Sequence, residues 1–278
     1  MNYIAAVDIG GTNIRAAIID ENFKIIEVIK EKTPHNDLVM LLDNVKILLE
    51  KLDIVSKKVL AISIGVAGRV RKENHIDELP NIGVKDIDFV SYLNGIYHLP
   101  IYVRNDAEMA VLAEATVGAS KGYQRVYFVT LSTGLGGALA IDGKIANYSK
   151  EIGHTPFMYK GKLRDLETLV AGSGIANLAR LNDLNINTAN EFFKMVSLKD
   201  EKALFMYRDW LDLICDFFIY VNNTFKPDIF YVTGGLMNSK DVFFDQLKTR
   251  LKDIRIEEGL YKDDVTLIGA AIYAFQSI

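Results

Sequence analysis

The sequence predicts an α/β protein of two similar domains that face each other across a cleft. Three observations predict it. Two runs of strand type each enter a glycine turn and leave as a second strand, at Asp8-Ile9-Gly10-Gly11-Thr12-Asn13-Ile14-Arg15 and at Thr133-Gly134-Leu135-Gly136-Gly137. Apolar residues recur at helical spacing between them, as Leu38, Leu41, Leu42, Val45, Leu48, Leu49 and Leu52. A chain of 278 residues, 50% of them hydrophobic, has enough apolar surface to fill two cores.

Taken in order, strands are expected over residues 3–9, 14–20 and 23–30, a helix over 37–52 and a strand over 59–66. Polar turns around 71–86 lead to a short helix over 88–97 and a strand over 100–104. Residues 125–132 form the strand entering the second glycine turn, Ala138 to Ile141 continue beyond it, and Asp142-Gly143 closes a hairpin. Helices over 165–181, 188–196 and 199–224 then precede an apolar strand, Asp228 to Thr233, which ends in Gly234-Gly235. The last apolar segment, Val265 to Phe275, carries Gly269-Ala270-Ala271, small residues that let a helix pack closely on a neighbour. The domain division expected is 1–104 plus 265–278, and 105–264.

Composition excludes several function classes. The net charge of -4 comes from mixed charges with no basic block, which argues against nucleic acid as a partner. The single cysteine, Cys215, lies in an apolar stretch, so it reads as a buried inert thiol, and neither a disulfide nor a cysteine zinc cluster is expected. The first strand begins at residue 3 without a charged-then-apolar leader, and no apolar run reaches bilayer-spanning length. A soluble, cytoplasmic protein with no membrane partner is expected.

The glycine turns are candidate phosphate sites, because a tight reversal exposes backbone N–H groups with no side chain in the way. Adjacent Gly10 and Gly11 are expected to make the reversal with positive φ. The bland alternative is an ordinary hairpin turn. A dinucleotide fingerprint fails on context, since a β-prone segment follows Gly137 where that motif needs a helix. Asn105-Asp106 stands where a strand gives way to a helix. Either residue reads as an N-cap, with Asn105 and Glu108 at capping-box spacing, or Asp106 reads as a carboxylate that takes a proton from an attacking hydroxyl. Glu151-Ile152-Gly153-His154, Glu167 and Asn81 read either as ordinary solvated or satisfied polar groups or, with a turn at Gly153 between Glu151 and His154, as side chains that converge on a polyhydroxylated ligand.

Together these residues resemble the ROK family of sugar kinases, repressors and related open reading frames, within the hexokinase–actin-like ATPase fold. The resemblance rests on Asp8-Ile-Gly-Gly-Thr-Asn, Ser63-Ile-Gly-Val-Ala-Gly68, Leu79-Pro-Asn-Ile82, Asn105-Asp-Ala, Leu131-Ser-Thr-Gly-Leu-Gly-Gly137, Glu151-Ile-Gly-His154, Val232-Thr-Gly-Gly235 and Ile268-Gly-Ala-Ala271. These span nearly the whole chain. The resemblance implies a two-domain actin-like ATPase (ribonuclease H-like) fold with a central cleft. By resemblance, Gly10, Gly11, Thr12 and Asn13 contact the phosphates of ATP, and Asp8 orients Mg²⁺ through water. Thr133, Gly134 and Gly136 form a second clamp, with Gly234 and Gly235 near the adenosine. Asp106 corresponds to the general base; Asn105, Glu151, His154 and Glu167 to residues that hold sugar hydroxyls; and Gly68 and Asn81 lie in loops lining the sugar pocket.

One departure is informative. Family members commonly carry zinc on the histidine of Glu-x-Gly-His and three cysteines before the second glutamate. Here Thr155 to Leu166 is short and holds no cysteine, so no zinc is expected and a protein or water hydrogen bond should orient His154. The resemblance implies ATP-dependent phosphorylation of a hexose, glucose first, with N-acetylmannosamine, N-acetylglucosamine or fructose as alternatives. A sugar-responsive repressor needs a DNA-binding segment ahead of the first strand, and a non-catalytic sugar sensor would lack the acid. A homodimer is expected, with Phe217-Phe218-Ile219-Tyr220 serving either its interface or the core.

Overall fold

The computed structural model describes residues 1–71, 74–118, 122–146 and 151–278. Its contacts divide the chain into two units, Met1–Gly118 with Asp263–Ile278, and Ala119–Lys262.

In the first unit the strands are β1 (Tyr3–Ile9), β2 (Asn13–Asp20), β3 (Ile25–Lys32), β4 (Ala61–Val66), β5 (Ile76–Leu79), β6 (Val84–Ile87) and β7 (Ile101–Asn105). The helices are α1 (Leu38–Lys51), α2 (Phe89–Tyr97), α3 (Asp106–Thr116) and the C-terminal Val265–Ser277. The main sheet runs β3-β2-β1-β4-β7, antiparallel between β1 and β2 and parallel across β1, β4 and β7. Strand alternation sends Ala5, Val7 and Ile9 to a core shared with Leu41, Val45 and Leu48 of α1, while Ile4 and Ala6 face Met109 and Leu267 on the other side. The C-terminal helix packs on α3 nearly backbone to backbone, because a Cβ on Gly269 would fall on the Met109 carbonyl. That contact keeps α3 in the first unit, so the division falls at Gly118 instead of the expected residue 104.

The second unit repeats the plan. Its strands are β8 (Arg125–Leu131), β9 (Leu135–Ile141), β10 (Lys144–Ile145), β11 (Pro156–Tyr159), β12 (Lys162–Asp165), β13 (Ile229–Thr233) and β14 (Ile256–Glu258). Its helices are α4 (Glu167–Val170), α5 (Gly174–Leu181), α6 (Ala189–Ser197), α7 (Glu201–Phe225) and α8 (Lys240–Arg250), which makes the C-terminal helix α9. The sheet order β10-β9-β8-β13-β14 mirrors the first sheet, with an antiparallel pair around the glycine turn and parallel pairing beyond it. Trp210, Phe192, Phe193 and Phe243 centre the core beneath it.

Three expectations change. The polar turns around 71–86 hold the β5–β6 hairpin, of which residues 72–73 lie outside the described residues. The helix expected over 165–181 is interrupted. Asp165 closes β12, and residues 171–173 bend away from helix because Gly172 N–H donates to the Ser132 carbonyl and Ser173 N–H to that of Thr133. Between Gly235 and Val265, where no element is expected, α8 and β14 form. Phe217 and Phe218 are core residues, and Tyr220 meets Phe157 edge to face. Cys215 is a free, buried thiol whose pKa burial pushes up. Among the described residues no helix is long and apolar enough to cross a membrane.

Candidate active site

The candidate residues gather at the carboxyl ends of parallel strands, where open α/β sheets bind ligands. In the first unit β1 ends at Ile9 before Gly10, β4 at Val66 before Gly68, and β7 at Asn105 before Asp106. In the second, β8 ends at Leu131 before Thr133 and β13 at Thr233 before Gly234.

The turn at Gly10 closes by a hydrogen bond from Gly10 N–H to the Asn13 carbonyl, 3.1 Å. Neither Gly10 nor Gly11 adopts positive φ, contrary to expectation. Both glycines are instead closely packed: a Cβ on Gly11 would lie 3.2 Å from Cβ of Asn81, and one on Gly10 would lie 3.3 Å from the Asn13 carbonyl oxygen, so a side chain at either asks its neighbour to give way. The turn is braced from outside. Buried Thr33 donates its hydroxyl to the Gly10 carbonyl at 2.7 Å and its N–H to the Thr12 carbonyl at 3.1 Å. The carbonyls of Gly10, Thr12 and Asn13 are therefore spoken for, while the N–H groups of Gly11 and Thr12 take no partner among the described residues. Such a turn offers donors to an anion.

Asp8 stands one residue before the end of β1, paired across the ladder with Arg15. Burial pushes its carboxyl up to about 7; the charges of Asp106 and Asp263 add to this, while the Arg15 guanidinium opposes it. Arg15 itself is held by the Asp263 carbonyl and the Asp264 carboxylate. The Asp8 pocket is thus short of positive charge. Its donor set fits a hydrated divalent cation: a lone carboxylate suits Mg²⁺, which keeps several of its own waters. Among the described residues no three His, Cys, Asp or Glu side chains group to hold a metal by themselves.

Asn105 is the N-cap of α3, accepting from Ala107 N–H at 2.9 Å, and Glu108 accepts from Asn105 N–H, which completes a capping box. The amide of Asn105 also donates to the Gly68 carbonyl at 3.1 Å. The N-cap reading therefore holds at Asn105. Asn105 caps the helix and ties the Gly68 loop to it, whereas Asp106, in the first turn, has one carboxylate oxygen accepting from Ala107 N–H at 2.9 Å. The structure brings Asp8, Gly10, Gly11, Gly68, Asn81, Asn105 and Asp106 into one neighbourhood, with Asn81 exposed.

In the second unit Glu167 is the centre. Its Oε2 accepts from Leu135 N–H at 2.8 Å. A Cβ on Gly134 would lie 2.6 Å from that oxygen and one on Gly153 3.1 Å from it. The carboxylate is wedged between the Thr133–Gly137 turn and the Glu151–His154 turn, and both turns are glycine where they meet it. This turn too is braced by a hydroxyl: Ser173 Oγ donates to the Thr133 carbonyl at 2.6 Å. Gly136 lies in β9 against Thr130. Gly234 takes φ of 104° with its Cα against the Leu131 backbone, which excludes a side chain twice over; Gly235 is exposed beyond it. Glu151 is exposed, and His154 is exposed with Nδ1 3.1 Å from Asp165 Oδ2, so a protein carboxylate contacts its ring. Thr33, Ser173 and Asp165 carry no motif and were not singled out by the sequence.

A model of the ROK family matches residues 4–275. The N-acetylmannosamine kinase of Salmonella typhimurium is 27% identical over 289 residues, 97% of each chain. A glucokinase of Streptomyces coelicolor is 32% identical over 168 residues, 59% of this chain and 52% of that protein. The structure of a ROK family glucokinase from Streptomyces griseus in complex with glucose and AMPPNP superposes with a TM-score of 0.78 at 23% identity, covering 99% of this chain and 100% of that one. The fold is that of the actin-like ATPases, and with a family match over nearly its whole length the chain belongs to the ROK family.

Proposed function

We propose that the protein is a sugar kinase that transfers the terminal phosphate of ATP to a hexose hydroxyl, with glucose as the favoured acceptor and the 6-phosphate as product. The observation that carries this reading is the proximity of Asp8 and Asp106 at strand ends beside a turn whose Gly10 and Thr12 carbonyls are braced by Thr33 and whose Gly11 and Thr12 N–H groups take no partner among the described residues. Phosphoryl transfer needs those parts: donors for phosphate oxygens, a carboxylate near the cation, and a carboxylate for the nucleophile's proton.

Asp106 accepts the proton of the attacking hydroxyl as its oxygen bonds to phosphorus and the bond to the departing ADP breaks. The capping bond of Asn105 and the Ala107 N–H hold that carboxylate still. The Gly10–Asn13 turn and the Thr133–Gly136 turn take phosphate oxygens, and Gly234 and Gly235 make room for adenosine. Asn105, Glu151, His154 and Glu167 bind sugar hydroxyls, and Gly68 and Asn81 belong to loops that serve the same ligand. Asp8 would hold Mg²⁺, which would supply charge neutralisation at the phosphates.

The acceptor has a second reading. Similarity to an N-acetylmannosamine kinase along 97% of both chains favours an N-acetylhexosamine. A coupled assay of ADP release across glucose, mannose, fructose, N-acetylmannosamine and N-acetylglucosamine decides between them. Glucose with the highest kcat/KM supports the first reading; an N-acetylhexosamine in that place replaces it. No sugar-dependent ADP release from any of them would remove the kinase reading and leave a sugar sensor.

A further inference from the structure

His154 and Asp165 are eleven residues apart in sequence, and the β11–β12 hairpin brings them side by side. Pro156 pairs with Asp165 as the first rung of that ladder, Leu166 N–H donates to the Thr155 carbonyl at 3.1 Å, and Thr168 Oγ1 donates to the Asp165 carbonyl at 2.7 Å. At the far end Lys160-Gly161 makes a two-residue turn with φ of 47° and 73°, the geometry that matches strand twist. Both side chains of the pair are about half-exposed, at 60% and 48%. An ion pair so exposed adds little stability. Its consequence is orientation.

We propose that Asp165 is a positioning residue that holds the proton on Nδ1 of His154 and leaves Nε2 as a hydrogen-bond acceptor for a ligand hydroxyl. An ionised carboxylate only accepts, so the nitrogen facing it must donate, and the tautomer of a neutral imidazole is set by that bond. A hydroxyl then donates to Nε2. The ligand half of this inference rests on the sugar-kinase reading; the tautomer half does not.

The test uses the ¹⁵N-labelled full chain without substrate, at a pH where the imidazole is neutral. Long-range ¹H–¹⁵N spectra report which ring nitrogen carries the proton, and His154→Asn assigns the signals among the four histidines. The expected result is protonated Nδ1 and bare Nε2 in the unmodified protein, with a shift towards protonated Nε2 in Asp165→Ala. For the phosphorylated sugar, Asp165→Ala should raise KM about tenfold with kcat changed less than about threefold, and Asp165→Glu should recover part of the loss. A His154 ring protonated on Nε2 in the unmodified protein, or a ring spectrum indifferent to Asp165→Ala, overturns the proposal; the first needs no variant to fold. A tautomer shift in a protein that phosphorylates no sugar would leave the positioning role standing and remove the kinase reading.

Discussion

Replacing Glu167 by alanine tests whether one carboxylate supports two substrate sites. Its Oε2 accepts from Leu135 N–H at 2.8 Å and fills the space left by Gly134 and Gly153. A hydrogen bond to a charged group contributes about 1.5–3 kcal/mol. Taking about 2 kcal/mol, its loss corresponds to about 30-fold in an equilibrium constant. Leu135 directly follows Thr133-Gly134, so the turn that would hold phosphate is what loosens. The KM for ATP should therefore rise by up to about 30-fold, along with that of the sugar, in a protein that still melts cooperatively. Glu167→Gln keeps a carbonyl acceptor without the charge, and about half the bond energy corresponds to roughly fivefold. Initial rates with each substrate varied at saturating levels of the other measure both constants, and circular dichroism checks the fold. If folded Glu167→Ala raises only the sugar KM and leaves that of ATP within about twofold, the Leu135 bond does not support the phosphate turn and the reasoning fails.

Asp106→Asn should lower kcat by about 10²–10⁴-fold with sugar KM nearly unchanged, read in the same coupled assay; near-normal turnover would remove Asp106 as the base. Gly269→Ala forces α9 off the Met109 carbonyl and should cost on the order of 3 kcal/mol, seen as a lower urea midpoint. An unchanged midpoint would mean the two helices part freely. Asp8 gives a pH signature. Its folded pKa of about 7 stands above the ordinary aspartate value of 3.8, so between those values the folded state keeps a proton the unfolded chain has released. Stability should fall as pH rises through that window and level off above it, by at most about 4 kcal/mol. Asp8→Asn should flatten the slope in urea titrations; equal slopes in both proteins would refute the burial argument.

Much of the candidate site was legible as a set of positions because its residues sit where patterns change. Glycines between two apolar runs, and Asn-Asp between a strand and a small-residue helix, are local signals, and the structure places both at strand ends. The reason behind a signal was less secure. Gly10 and Gly11 were expected to supply unusual φ, yet they supply clearance beside Asn13 and Asn81. The β5–β6 hairpin escaped notice because only Ile76, Leu79, Val84 and Ile87 at its strand ends are buried, so no alternation of period two is present.

What stayed illegible is the bracing that makes a glycine turn a donor site. Thr33 reaches Gly10 across 23 residues and Ser173 reaches Thr133 across 40, and neither separation leaves a periodic mark. Both bonds have the same form, a hydroxyl donated to a carbonyl of the turn. That form has a chemical consequence: occupying carbonyls on one side of a turn helps fix the backbone with its N–H groups on the other. The break at residues 171–173 follows from it, since backbone committed to the Ser132 and Thr133 carbonyls is no longer available to continue a helix. A helix pattern running through 165–181 was thus overridden by the needs of a turn in another strand pair, and Asp165, freed from that helix, became the partner of His154.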